Sequence, residues 1–158
     1  MYNIGDKVVY PMHGAGIIEA IEEKEILGEK QYYYIMAMPI GDMKVMIPTD
    51  AVDEIGLRQV IEEEETKDVI EVLKGQMSAM SSNWNRRYRA NMEKIKSGDI
   101  YQVAEVVRNL TLRDQVKRLS AGERKMLENA RQILISELVL VKDSSEEVIG
   151  ELLTKYIG

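Results

Sequence analysis

Hydrophobic and polar positions follow two different periods along this chain, and the change comes just after residue 60. Before it, short runs rich in β-branched and aromatic residues alternate with turn residues, the pattern of strands. Lys7-Val8-Val9-Tyr10-Pro11 is the first such run, and His13-Gly14-Ala15-Gly16 predicts a turn. A second strand is predicted from Ile17 to Ile26, with Leu27-Gly28-Glu29-Lys30 turning the chain into Gln31-Tyr32-Tyr33-Tyr34-Ile35-Met36-Ala37-Met38. Pro39 ends that run, because proline cannot donate to a ladder. Met43 to Ile47, ahead of Pro48, predicts a fourth strand, and Leu57-Arg58-Gln59-Val60 a fifth that closes a small SH3- or Tudor-like barrel.

After Glu62-Glu63-Glu64-Glu65 the period becomes helical. Val69, Ile70, Leu73 and Met77 share one face, and acidic residues ahead of them suit a helix amino terminus. Ser78-Ala79-Met80-Ser81-Ser82 reads as a loop. Asn83 caps a helix running to about Ser97-Gly98, and Asp99 caps one through Val103, Val106, Val107 and Leu110. Ser120-Ala121-Gly122-Glu123 has capping-box form before Met126, Leu127, Ala130, Ile133, Leu134 and Leu138, and Ser144-Ser145-Glu146-Glu147 repeats it before a last short helix.

The predicted class is therefore α+β in separate domains, a small SH3/Tudor-like β-barrel followed by an all-α helical bundle. Residues 1–60 are expected to form the barrel, 61–82 a linking helix and loop packed with the second domain, and 83–158 the helical domain. No internal repeat interrupts this division.

Composition narrows the chemistry. No apolar run approaches the roughly 20 residues that span a bilayer, and Met1 to Tyr10 has no basic stretch followed by an apolar one, so the chain is expected in the cytoplasm. With no cysteine and one histidine, His13, it offers no thiol nucleophile and no multi-histidine metal site. Asp42, Asp50 and Asp53 fall at turns and caps without the spacing of a calcium loop. Gly14-Ala15-Gly16 is too short for a phosphate loop and has no lysine and hydroxyl pair behind it. No catalytic residue, metal, cofactor or small-molecule substrate is assigned.

The net charge of -6 conceals a segregation. Residues 76–142 carry thirteen Lys/Arg against seven Asp/Glu, a net +6, whereas 1–60 carry five against ten, a net -5. A polyanion would meet one basic module inside an acidic protein.

Within that module lies Asn83-Trp84-Asn85-Arg86-Arg87-Tyr88-Arg89, holding the only tryptophan and three arginines. Guanidinium forks match phosphate geometry, and an aromatic wedge can enter the minor groove at an unstacked step, so Trp84, Arg86, Arg87 and Arg89 point to distorted or opening DNA. Trp84, Tyr88, Met92 and Ile95 also recur at helical spacing, the pattern of a tryptophan that fills a core. A half-buried ring with an exposed edge satisfies both readings. Other basic residues, Lys94, Lys96, Arg108, Arg113, Lys117, Arg118, Arg124, Lys125 and Arg131, occur on every predicted helix of this half, and many must be structural. Arg124 and Lys125, just after a helix start, can approach one phosphate together with its free amides. Arg131, inside the most apolar helix, reads as an internal salt-bridge partner, and His13 as a turn residue bonding its own backbone.

These segments in order resemble a known family: Gly5-Asp6-Lys7-Val8-Val9-Tyr10-Pro11-Met12-His13-Gly14, Asn83-Trp84-Asn85-Arg86-Arg87-Tyr88, Ser97-Gly98-Asp99, Ala104-Glu105-Val106-Val107-Arg108, Leu119-Ser120-Ala121-Gly122-Glu123 and Ala130-Arg131-Gln132-Ile133-Leu134. Together they resemble the bacterial CarD/CdnL-type transcription regulators. The first block also resembles the RNA-polymerase-interacting module of the transcription-repair coupling factor. The resemblance implies a Tudor-like domain docked on the RNA polymerase β subunit and a helical domain at the upstream edge of the melted promoter, stabilising the open complex with little sequence readout. It implies that Trp84 is the minor-groove wedge and that Arg86, Arg87 and Arg89 lie near DNA, position 89 being lysine in some relatives. It places Lys24 where relatives use a basic residue toward polymerase, and Met46 where some have arginine. A protein adaptor on polymerase without DNA contact, with Trp84 as an interface hot spot, is the alternative.

Overall fold

The computed structural model describes residues 1–157; Gly158, the last residue of the predicted helical domain, lies outside the described residues. Strands come first and helices after, the predicted α+β order. β1 (Lys7–Tyr10), β2 (Gly14–Ile26), β3 (Glu29–Ala37), β4 (Lys44–Pro48) and β5 (Arg58–Gln59) form one antiparallel sheet in the order β4-β3-β2-β1-β5. A single helical turn, α1 (Val52–Ile55), joins β4 to β5. Among the described residues β5 pairs with β1 alone, so the expected closure by a last strand is not made by hydrogen bonds, and β4 and β5 remain edges.

The first two hairpin turns are tighter than the sequence predicts. β2 and β3 are joined by Leu27 and Gly28 only, both at positive φ (53° and 81°), with Ile26 paired to Glu29. That two-residue geometry matches the twist of the strands, so Glu29 and Lys30 pair as strand rather than turn. The other turn is Pro11-Met12-His13, and Gly14 to Gly16 already pair with β1. Those glycines serve close approach: a Cβ on Gly16 would lie 2.6 Å from the Ala37 carbonyl oxygen, and one on Gly14 2.8 Å from Ser136 Oγ.

After a 3-10 turn (Glu63–Glu65) come α2 (Thr66–Lys74), α3 (Trp84–Lys96), α4 (Ile100–Val116), α5 (Ala121–Lys142) and α6 (Glu146–Tyr156). Asn83, Asp99, Ser120 and Ser145 cap the last four with their side chains. α2 ends before Met77, which lies in an irregular segment. The buried Arg108 guanidinium takes the place of further helix there, bonding the Val72 carbonyl at 2.9 Å and Ser78 Oγ at 2.7 Å.

Each half has its own core. Val8, Ile18, Tyr34, Met36, Ile47 and Leu57 form the core of the sheet half, whereas Val69 and Leu73 join the α3–α6 residues in a larger cluster around α5. The halves meet along the carboxyl-terminal part of α5. Val9, Ala15 and Leu140 pack together, Ala15 N donates to Ser136 Oγ at 2.8 Å, and Arg58 grips the buried Glu137 carboxylate through two nitrogens at 2.8 and 2.7 Å. Glu137 also accepts the Ile61 amide, and Arg58 Nε donates to the Gly98 carbonyl at the end of α3.

Candidate nucleic-acid interface

The amino termini of α3 and α5 lie side by side, and Trp84 bridges them. Its indole Nε1 donates to Ser120 Oγ at 2.9 Å, one ring face stacks on Tyr88 at a 5.0 Å centroid separation, and the six-membered ring rests on Gly122. The side chain is nevertheless 41% exposed. Trp84 is thus the half-buried ring that both readings of the sequence allowed, and its environment explains why. As the first residue of a helix it has packing partners on one side only, supplied by Tyr88 one turn further along α3 and by the first turn of α5.

Ser120 Oγ is a saturated junction. A hydroxyl has one proton and two lone pairs. The lone pairs accept Trp84 Nε1 and the Glu123 amide, at 2.9 and 3.2 Å, and the proton points to Glu123 Oε1 at 3.4 Å. The predicted reciprocal capping box does not form, because the Glu123 carboxylate turns to Arg87 instead of reaching back to the cap's amide.

Arg87 therefore departs from its expected place at the DNA surface. It is 5% exposed, and its guanidinium donates to both Glu123 oxygens, at 2.7 and 3.0 Å, and to the Ser81 and Ser82 carbonyls. The physical reason is helical spacing: three residues after Trp84, Arg87 lies on the face of α3 turned to α5, where only a paired charge is tolerated. These hydrogen bonds hold the Glu123 carboxyl below the ordinary glutamate range against the opposing effect of burial, and raise the Arg87 guanidinium.

Arg86 and Arg89 are exposed on the outer side of α3. Arg124 and Lys125 are exposed in the first turn of α5, Arg124 in a loose 3.5 Å pair with Asp114. Arg131 has no carboxylate partner among the described residues. It donates to the Gly150 carbonyl at 3.0 Å and so ties α5 to α6 rather than forming the internal salt bridge expected of it. Lys94 pairs with Glu105 at 2.7 Å, which draws the Glu105 carboxyl below its ordinary range. Among the described residues Arg86, Arg89 and Lys125 are exposed and unpaired beside Trp84, and further unpaired lysines lie elsewhere, Lys96 at the far end of α3 and Lys142 at the far end of α5. From Ser120 to Ser136, where the sheet is met, α5 rises about 24 Å.

The sequence missed Ser120 and Glu123 as supports of Trp84. Glu123 lies 36 residues from Arg87, and nothing local distinguishes a capping glutamate from one that pairs at long range.

Lys24 and Met46 lie on the same face of the sheet. Lys24 pairs with Gln31 and Met46 with Ile35, and Gln31, Tyr33 and Ile35 alternate to one side of β3. Lys24 is exposed in a 3.4 Å pair with Glu22, and Met46 is 46% exposed on the edge strand. The hairpin arm that carries Lys24 extends beyond β1, which pairs with β2 only as far as Ile17. His13, exposed in its turn, sets its ring edge-on to Tyr10, and its amide bonds the Tyr10 carbonyl at 2.9 Å. Among the described residues no group of His, Cys, Asp and Glu is placed to hold a metal ion, and no helix is long and apolar enough to cross a membrane.

Comparison with known proteins bears on both ends. Residues 2–61 match the family model for the CarD-like/TRCF RID domain, and residues 68–154 match that for the CarD C-terminal domain. The chain is 48% identical over 149 residues to the putative transcription factor YdeB of Bacillus subtilis (strain 168), covering 94% of this chain and 97% of that protein. A solution structure of the 72-residue N-terminal domain of Myxococcus xanthus CarD aligns at 36% identity over 37% of this chain and 79% of that one, with a TM-score of 0.33.

Proposed function

The chain belongs to the CarD family of transcription factors, and on that premise we propose that it is a two-ended regulator without catalytic activity. Residues 1–60 bind the β subunit of RNA polymerase, residues 83–158 reach promoter DNA at the upstream edge of the bubble, and residues 61–82 pack with the helical end. Binding at both places stabilises the open complex.

The observation that carries this reading is the half-exposed indole of Trp84, held by Ser120 and Tyr88 on the bundle end that also carries the exposed Arg86, Arg89 and Lys125. A ring held at its Nε1 edge and by one face, with the rest of its surface exposed, can be inserted without reordering, so less rotamer entropy is lost on binding. Unstacking a base step costs a few kcal/mol, offset by phosphate contacts and by the larger surface that a distorted duplex offers. Anchoring on polymerase raises the local concentration of a weak DNA binder, so sequence readout is not required.

On the polymerase side, Lys24 and Met46, both exposed and on one face of the sheet, and the unpaired edge of β4 are free for contact, since α5 covers the β1–β2 end. The Arg58–Glu137 grip makes the two ends one lever, which fixes how far from the polymerase contact the wedge can lie.

The test is the half-life of an open promoter complex with the parent protein and with Trp84→Ala, alongside binding to polymerase alone. The reading predicts a shortened half-life with polymerase binding unchanged. Equal half-lives would favour an adaptor that grips polymerase and a second protein.

A further inference from the structure

Trp84 spans the gap between two elements, its own helix and the turn that joins α4 to α5. The helix that carries Trp84 also carries Arg86 and Arg89. Across the indole, Ser120 ends a short turn whose other residues are Lys117, Arg118 and Leu119. That turn is fixed in place: Lys117 N bonds the Arg113 carbonyl at 2.7 Å, Leu119 N bonds Asp114 Oδ1 at 3.0 Å, and the Leu119 side chain is buried. Lys117 and Arg118 themselves are exposed, and among the described residues neither side chain makes an ion pair or hydrogen bond. Val116, just before them, is 84% exposed, an apolar side chain held in water beside two cations.

Resting on the reading that Trp84 enters a minor groove, we propose that the α4–α5 turn is a second phosphate-binding arm. Lys117 and Arg118 hold the backbone of one strand, and Arg86 and Arg89 hold the backbone of the other.

The argument is one of geometry and charge. The minor groove is a slot about 6 Å wide walled on both sides by phosphates. A wedge entering it has one backbone on each flank. Cations on one flank alone would draw the protein to that wall and tilt the ring, whereas cations on both flanks centre it. Each of the two elements that the Nε1–Ser120 bond joins at 2.9 Å carries such exposed cations. The nearby carboxylates do not cancel them: Glu123 is buried against Arg87, and Asp114 is engaged by the Leu119 amide and Arg124. Phosphate contacts of this kind position without reading sequence. Val116 meets the deoxyribose edge that such a turn would face.

The experiment uses the full chain and one forked duplex of fixed sequence. Affinity is measured against salt for the parent, for Arg86→Ala/Arg89→Ala, for Lys117→Ala/Arg118→Ala and for Trp84→Ala, with thermal melting as the control for folding. Removing one phosphate interaction flattens the plot of log affinity against log salt by roughly 0.9. Both double variants are expected to flatten it by similar amounts. Uncharged methylphosphonate linkages placed in one strand beside the fork then make one double variant no worse than the parent, and placed in the other strand do the same for the second variant. If both variants respond to the same strand, the two arms do not straddle the groove and the proposal falls. If Lys117→Ala/Arg118→Ala keeps the parent slope while Arg86→Ala/Arg89→Ala and Trp84→Ala weaken binding, this inference fails and the DNA reading stands. If no variant changes binding, both fail.

Discussion

Arg87 donates to both carboxylate oxygens of Glu123, at 2.7 and 3.0 Å, and so joins the first turn of α3 to the first turn of α5 with a pair almost wholly removed from water. Breaking such a pair by removing one partner leaves an uncompensated buried charge, which typically costs about 3–5 kcal/mol. Arg87→Ala and Glu123→Gln should each lower the melting temperature clearly. Arg86→Ala, one residue away on the exposed face, should leave it nearly unchanged. The pairing of neighbours is the test, because a cluster of equivalent DNA-contacting arginines would show the reverse: similar melting curves and similar losses of DNA affinity.

The same pair makes stability depend on pH. The Glu123 carboxyl titrates below its ordinary value when folded, chiefly through its hydrogen bonds from Arg87. Its contribution is therefore fully present above the unfolded glutamate value, about 4.3, and is lost as pH falls through the lower folded value. Acid melting of the parent should show a loss of stability below about pH 4 that is reduced in Glu123→Gln. Parallel parent and variant curves through that range would remove Glu123 from the account.

Ser120 gives a separate prediction because it caps α5 and holds the indole with one oxygen. Ser120→Ala should cost about 1 kcal/mol through loss of the cap. It should also loosen the only tryptophan, seen as lower steady-state fluorescence anisotropy at a temperature where the variant is folded, and weaken binding to forked DNA. Ser120→Thr keeps the hydroxyl and should restore the anisotropy. Unchanged anisotropy in the alanine variant would mean that Tyr88 and Gly122 alone fix the ring.

The fold was legible in the sequence where the signal is local. The aromatic and apolar run Gln31–Met38 marked β3, and Asn83, Asp99 and Ser120 marked three helix starts, because a cap or a strand-forming run is written within a few residues. What involved two distant segments was not. Gly14 and Gly16 look like turn residues until Ser136 and Ala37 are seen against them, and Arg87 looks like its neighbours until Glu123 is placed beside it. At the candidate site the sequence located Trp84 and the exposed Arg86 and Arg89. It could not distinguish which cations are free, since that depends on which face of each helix meets the next.

Arg58 and Glu137 offer a test of the lever. Glu137 is 4% exposed and accepts from Arg58 and the Ile61 amide, so Arg58→Ala leaves a buried carboxylate short of its main partner. The sheet and the bundle keep their own cores, so both should remain folded. Amide exchange should rise at Ile61 and Ala15, which lie at the contact between them. Affinity for forked DNA alone should be retained and affinity for polymerase alone should be retained, while open-complex half-life falls. A half-life equal to the parent's would show that the two ends need no fixed relation.

The polymerase contact is tested on the open face of the sheet. Lys24 is exposed, and its 3.4 Å pair with Glu22 contributes little, since surface pairs are typically worth about 0–1 kcal/mol. Lys24→Glu should therefore fold and melt like the parent. At a protein interface the same reversal sets like charge against the partner surface, at a cost of several kcal/mol. Met46, two strands away on the same face, offers an apolar contact, so Met46→Ala should weaken polymerase binding through poorer packing, with little dependence on salt. Lys24→Glu should lose polymerase in pull-down and lose open-complex stabilisation while keeping its affinity for forked DNA. If both variants bind polymerase as the parent does, the contact lies elsewhere, and the unpaired edge of β4 is the next surface to alter. If residues 1–60 alone fail to bind polymerase although folded, the division of labour between the two ends is wrong.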